Sequence, residues 1–234
     1  MHKQKSINLK KLFKKNNILF FGDDHDMNQG RYWLSKELLN LDNIDYLGIE
    51  YIDTSKQELI NNSEYNKLGI YLKKVYKDFP GFSPDSIINL IKIAKTKNIK
   101  VYGIEIPEAF FDNWYTKEAQ DKRVEYISKQ IIKISKLGKG IILLGADHVE
   151  KNRKNVFHNI KKRYEDILSI IFIGGRNWSQ DTEEYWIRKL EMDSQRNNIQ
   201  NDFFVIRTKN HIFPTDYILH FPQIEKIGVS LTYS

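Results

Sequence analysis

One phrase occurs twice in this chain and restricts what it can fold into. Residues 18–25 read ILFFGDDH and residues 141–148 read IILLGADH: four apolar residues, a glycine, a gap of two, then a histidine. A short unbroken apolar run reads as a strand buried on both faces, the kind found in parallel sheets. The glycine permits a sharp turn where the run stops. Asp23, Asp24, His25 and Asp26 are therefore expected at the carboxyl end of a central strand, where ligands sit in open α/β sheets. Between the two copies lie two more short strands with glycine inside them, Tyr46–Ile49 and Val101–Ile104, each running into a glutamate, Glu50 and Glu105. If the strands are parallel, His25, Glu50, Glu105 and His148 all point into one crevice.

A lone histidine after a strand is more often a loop or capping residue than a ligand. The repeat, together with two glutamates closing strands, tips the balance toward a site. The other histidines lack such support: His2 is near the start, His158 lies on a basic helix, and His211 and His220 fall in the C-terminal segment.

Strand and helix alternate along the rest of the chain. Trp33, Leu34, Leu38 and Leu41 give residues 29–41 one apolar helical face. Residues 55–79 read as a helical insertion broken near Asn61-Asn62-Ser63. Ser83-Pro84 is a helix start, with serine as N-cap and proline at the first helical position. Thr116 caps a helix that stops at Gly138. Residues 149–164 read as a helix, 167–173 as a fifth strand, 182–198 as a helix and 203–206 as a sixth strand, with two short strands near 217–221 and 229–232. This order predicts a single α/β domain over residues 17–234, with a mostly parallel central sheet and helices on both faces, behind a basic tail of residues 1–16.

Composition narrows the chemistry. Cysteine is absent, which removes disulfides and thiolate metal sites. The formal charge is +7, but the lysines are scattered over nearly every helix, a solvated face rather than a nucleic-acid footprint. No stretch is long and apolar enough to span a membrane, so the chain is expected to be soluble and cytoplasmic. A Gly-x-Ser-x-Gly elbow, a P-loop, Gly-x-Gly-x-x-Gly and His-Glu-x-x-His are all missing.

Imidazole and carboxylate together allow two mechanisms. His25, Glu50 and His148 can bind a divalent zinc, manganese or iron that activates a water. Alternatively, a histidine held by a neighbouring carboxylate acts as general base with no metal. Asp24 and Asp147, each one residue before its histidine, are placed to orient the rings or to add a ligand. Tyr32-Trp33 and Trp114-Tyr115 are candidates to line the pocket.

The order Gly22-x-x-His25, Gly48-Ile-Glu50, Gly145-x-x-His148 resembles the erythromycin esterase/ChaN/TIKI superfamily. The stretch from Gln120 through Arg123 to Val124 and Ile127 is similar to the arginine-bearing helix that precedes the late histidine strand in ChaN-like members. The resemblance spans residues 17–149. It implies an α/β fold and a range of activities: metal-dependent proteolysis in TIKI-type members, leader-peptide removal in natural-product maturation, metal-free macrolactone opening in the esterases, haem binding in ChaN-type proteins, and toxin domains. The chain lacks the lipoprotein signal of ChaN proteins and is shorter than the esterases, which leaves the leader-peptidase-like hydrolases as the nearest match. The expected activity is hydrolysis of a peptide or a small ester, with His25, Glu50 and His148 as the metal or water-activating set. Asp24 and Glu105 are supporting carboxylates, and Arg123 binds a carboxylate or an oxyanion. The alternatives are a metal-independent esterase, and a haem binder using the histidines or Tyr32 or Tyr51 as axial ligands.

Overall fold

The computed structural model describes residues 2–4, 7–23, 25, 28–79, 81–107, 116–151, 154–173, 204–207 and 215–220. Among the described residues, eight strands form one sheet: β1 (His2–Gln4), β2 (Ile18–Asp23), β3 (Tyr46–Asp53), β4 (Lys100–Glu105), β5 (Gly140–Gly145), β6 (Ile167–Ile173), β7 (Phe204–Arg207) and β8 (Tyr217–His220). Their spatial order is β1-β7-β8-β6-β2-β5-β3-β4. Pairing is parallel from β8 through β4 and antiparallel only at the β1–β7–β8 edge. The mostly parallel α/β sheet expected from the sequence is the sheet the chain builds.

The apolar runs are continuous because both faces of the central strands are covered. Leu19 and Phe21 of β2, Leu47 and Ile49 of β3, and Ile141 and Leu143 of β5 pack on one side. They meet α1 (Leu9–Phe13), α2 (Gln29–Asn40), α3 (Gln57–Asn61), α4 (Tyr65–Val75) and α5 (Pro84–Thr96). The alternate residues, Ile18, Phe20, Ile142 and Leu144, face α6 (Lys117–Ser135) and α7 (Val156–Lys161) on the other side. A period of two in the side chains thus separates two helical layers.

This layering opens the crevice. β2 and β5 are hydrogen-bonded neighbours. The chain leaves β2 into α2 on one face and leaves β5 toward α7 on the other. Adjacent strands whose continuations part in this way form a topological switch point, and the gap lies at their carboxyl ends. Gly22 closes the floor there: a Cβ on it would lie 2.2 Å from Val149 Cγ2 and 3.1 Å from Ala146 Cα.

Local signals set most boundaries. The insertion breaks at Ser63, which takes a positive φ of 58°. The Thr116 hydroxyl accepts the Ala119 N–H at 3.1 Å and starts α6. Gly138, with φ 132°, follows its end. Ser83 caps α5 by position, without a side-chain hydrogen bond of its own.

Three expectations need correction. Residues 1–16 are more than a tail: β1 pairs with β7, and Ile7, Leu9 and Phe13 are buried in the core. Glu50 and Glu105 differ in place: Glu105 ends β4, but β3 runs on past Glu50 to Asp53, with a register shift against β4 after Ile49. The helix expected from Val149 starts only at Val156. Asn155 holds the intervening turn instead, donating to the Asp147 and Glu150 carbonyls at 2.7 Å each and capping α7 at His158 N. Residues 182–198 and 229–232 lie outside the described residues.

Candidate functional site

His25 stands just past β2, and its ring is held from behind. Its Nδ1 lies 3.1 Å from the Tyr51 hydroxyl. That hydroxyl donates to Asp23 Oδ2 at 2.8 Å and accepts Arg31 Nη1 at 2.9 Å. A phenol has one proton, and here it goes to Asp23, so the contact with His25 requires the imidazole to donate. Neutral His25 therefore carries its hydrogen on Nδ1 and its lone pair on Nε2.

Asp23 and Tyr51 reach this position by strand parity. They continue the faces of Leu19 and Phe21 in β2 and of Leu47 and Ile49 in β3. Arg31 falls on the buried face of α2, three and seven residues before Leu34 and Leu38, and is fully buried. Its guanidinium pairs with Asp23 at 2.6 Å and also donates to Ser86 Oγ, Asn28 Oδ1 and the His25 carbonyl. Burial lowers the Arg31 pKa, but Asp23 and Tyr51 raise it further, so the cation persists.

The second half of the site is built around Arg123 of α6. Its Nε and Nη2 grip Glu105 in a bidentate pair at 2.5–3.1 Å. Nη2 also donates to Glu50 Oε1, and Nη1 lies 3.1 Å from His148 Nε2. A guanidinium only donates, so His148 Nε2 accepts and its hydrogen sits on Nδ1. That Nδ1 is buried and has no partner among the described residues. Burial lowers the His148 pKa, as does Arg123, against the opposing pull of Glu50, so the ring is neutral at pH 7.

The two glutamates differ. Burial pushes the Glu50 carboxyl up, but His148, Arg123, His25 and the Gly145 N–H, 2.6 Å from Oε2, draw it down to about 2. Glu105 moves the other way: burial and the like charge of Glu50 raise it despite Arg123.

His25, Glu50, Arg123 and His148 line one cleft of about 330 Å³, with Asp23, Phe79, Gly145, Ala146 and Asp147. Glu105 reaches it through Arg123. Asp24 and Trp114-Tyr115 lie outside the described residues, and His158 lines a different depression with Lys151 and Lys161.

The proposed metal set does not fit these donors as they stand. Both Glu50 oxygens and His148 Nε2 are engaged, and the group that engages two of these three atoms is a cation. Among the described residues no cluster of three or more such side chains is arranged to hold a metal ion. Tyr51 is also unsuited to iron, because its hydroxyl is saturated by Asp23, Arg31 and His25, and burial foremost raises its pKa well above the ordinary value. Tyr32 sits on α2 and does not line the cleft.

The sequence reading missed Asp23 in favour of Asp24, missed Arg31 entirely, and considered Tyr51 only as an iron ligand. The signal for all three is a polar residue in phase with an apolar face: Asp23 after Leu19 and Phe21, Tyr51 after Leu47 and Ile49, Arg31 before Leu34 and Leu38.

Fold and site together define an α/β domain with a histidine–carboxylate–arginine cleft at the strand carboxyl ends. No protein-family model and no curated protein matches the chain significantly. Solved structures are similar to it in fold. The type III effector HopBA1 superposes with a TM-score of 0.52 at 17% identity, over 74% of this chain and 86% of that one. A Bacillus cereus protein superposes with a TM-score of 0.52 at 11% identity, over 92% and 90% of the two chains. ChaN of Campylobacter jejuni, solved with cofacially bound haem, gives 0.46 at 11% identity over 91% and 89%. Likeness at these identities is likeness of fold alone. Among the described residues no helix is long and apolar enough to cross a membrane.

Proposed function

We propose that the chain is a hydrolase of esters or amides that activates water with His25 and without a bound metal. The observation that supports this reading is the Asp23–Tyr51–His25 relay, which leaves the imidazole lone pair on Nε2 in a ring that lines the cleft. In the proposed step Nε2 removes a proton from water while the water oxygen bonds to the substrate carbonyl carbon. The carbonyl π electrons move to oxygen. Collapse of that intermediate breaks the bond to the leaving group, which takes the proton from His25. Four of the five Arg123 N–H hydrogens are engaged: Nε–H and one Nη2 hydrogen by Glu105, the other Nη2 hydrogen by Glu50, and one Nη1 hydrogen by His148. The fifth, on Nη1, has no acceptor among the described residues and serves the oxyanion. Glu50 and Glu105 hold the guanidinium in place. A peptide, including a leader peptide, and a small ester both belong to the substrate class.

The test is hydrolysis of p-nitrophenyl esters and of a peptide library by chelator-treated protein. Activity should survive chelation and fall roughly 10²–10⁴-fold in His25→Ala, the range for loss of a general base. An unchanged rate in His25→Ala overturns the assignment. Activity lost on chelation and restored by zinc or manganese would return the site to the metallopeptidase reading. A Soret band on haem titration, without hydrolysis, would favour the haem binder.

A further inference from the structure

We infer that Phe79 is the specificity-determining residue of this cleft and that the substrate carries an apolar, preferably flat, group beside its scissile carbonyl; the inference rests on the hydrolytic reading above. Five large apolar side chains stand out as exposed among the described residues, Tyr32, Leu39, Ile70, Phe79 and Leu137, and of these only Phe79 lines the cleft. It is 39% exposed. Its ring meets His25 edge-on, with centroids 4.9 Å apart and planes at 70°. Among the described residues, every other side chain around the cleft, apart from Ala146, is polar or charged. A ligand whose carbonyl sits at His25 Nε2 therefore meets, among the described residues, the Phe79 ring as its large apolar surface.

That surface is held in position. Phe79 and Phe82 close successive turns, Phe79 N–H to the Tyr76 carbonyl at 3.1 Å and Phe82 N–H to the Phe79 carbonyl at 3.0 Å. Behind Phe79, Tyr76 packs on His25 at 5.3 Å and on Phe82 at 4.6 Å. Asn28 ties the same segment to the turn that bears His25, donating to the Gly81 carbonyl at 2.7 Å and accepting the Ser83 N–H at 2.9 Å. Its Oδ1 also accepts from the buried Arg31 at 2.6 Å. The aromatic wall and the imidazole thus share one scaffold, so the distance between a carbonyl and the group beside it is fixed. An aromatic face left open in a polar cleft discriminates by the apolar area it can cover.

The experiment reads binding separately from turnover. Acetamide and phenylacetamide present the same neutral carbonyl without and with a flat apolar group. Each is titrated while the His25 imidazole C–H resonance is followed, its assignment made with His25→Gln. Wild type should bind phenylacetamide at least about tenfold more tightly than acetamide, the scale of apolar-pocket discrimination. The ratio should fall to near one in Phe79→Ser and persist in Phe79→Tyr, which keeps the ring. Equal affinities in wild type, or a ratio unchanged in Phe79→Ser, overturn the inference. An intact ratio in a protein that hydrolyses nothing would sink the hydrolase reading and leave Phe79 as a recognition surface. Hydrolysis with no such ratio would do the reverse.

Discussion

Replacing Glu50 with glutamine tests the site through its electrostatics. Glu50 is 2% exposed; Oε2 accepts the Gly145 N–H and Oε1 accepts Arg123 Nη2. Both partners are donors. Glutamine offers one oxygen and one NH2, so either orientation aims an N–H at an N–H. Removing one partner of a buried ion pair costs roughly 3–5 kcal/mol. Glu105 keeps its bidentate grip on Arg123, which places Glu50→Gln at the lower end, about 3 kcal/mol. In a chain of this length each kcal/mol moves Tm by roughly 2–4 °C, giving a drop of roughly 6–12 °C at pH 7. The pH dependence has a definite sign. The Glu50 carboxyl is held at about 2 against an ordinary 4.5, so its contribution is full above pH 4.5 and is lost as pH falls toward 2. The gap between wild type and variant should close over the same window. Thermal unfolding followed by circular dichroism at pH 7, 5, 4 and 3 measures both effects. A Tm within about 2 °C of wild type at pH 7, or a gap that does not narrow in acid, refutes the reasoning.

Tyr51→Phe removes the acceptor of His25 Nδ1 while Asp23 and Arg31 remain paired; it should cost about 1–2 kcal/mol and turn the single Nδ1–H tautomer into a mixture, read by imidazole ¹⁵N shifts. Arg31→Met leaves Asp23 buried without its cation and should cost roughly 3–5 kcal/mol by urea denaturation. Gly22→Ala drives a Cβ into Val149 Cγ2 and should destabilise by roughly 1–3 kcal/mol, also by urea denaturation, with partial rescue by Val149→Ala.

The central strands β2 and β5 were legible because both faces of the sheet are covered there, which makes each a continuous apolar run that stops at a glycine. The repeated Gly-x-x-His was legible for the same reason, since it marks where two such runs stop. Asp23 was harder to read than Asp24. Being next to a histidine in sequence suggests partnership, whereas Asp23 acts on His25 through the Tyr51 hydroxyl of β3, a link between strands that sequence adjacency does not register. The role of Arg123 was half legible: its helix was noticed by resemblance, but nothing in its spacing announces that it will stand between Glu50 and His148. The start of α7 could not be placed, because Asn155 draws the preceding carbonyls into a turn that periodicity does not register.

The buried position of Arg31 divides the labour around His25. The groups that decide which imidazole nitrogen bears the hydrogen, Asp23, Tyr51 and Arg31, are buried, while Phe79 and Asp147 are the exposed side chains of the described lining. A change at Phe79 or Asp147 therefore alters the surface of the cleft without removing the partners that place the ring's hydrogen. On the hydrolytic reading proposed above, selectivity at those exposed positions can be altered while the buried partners of His25 stay as they are.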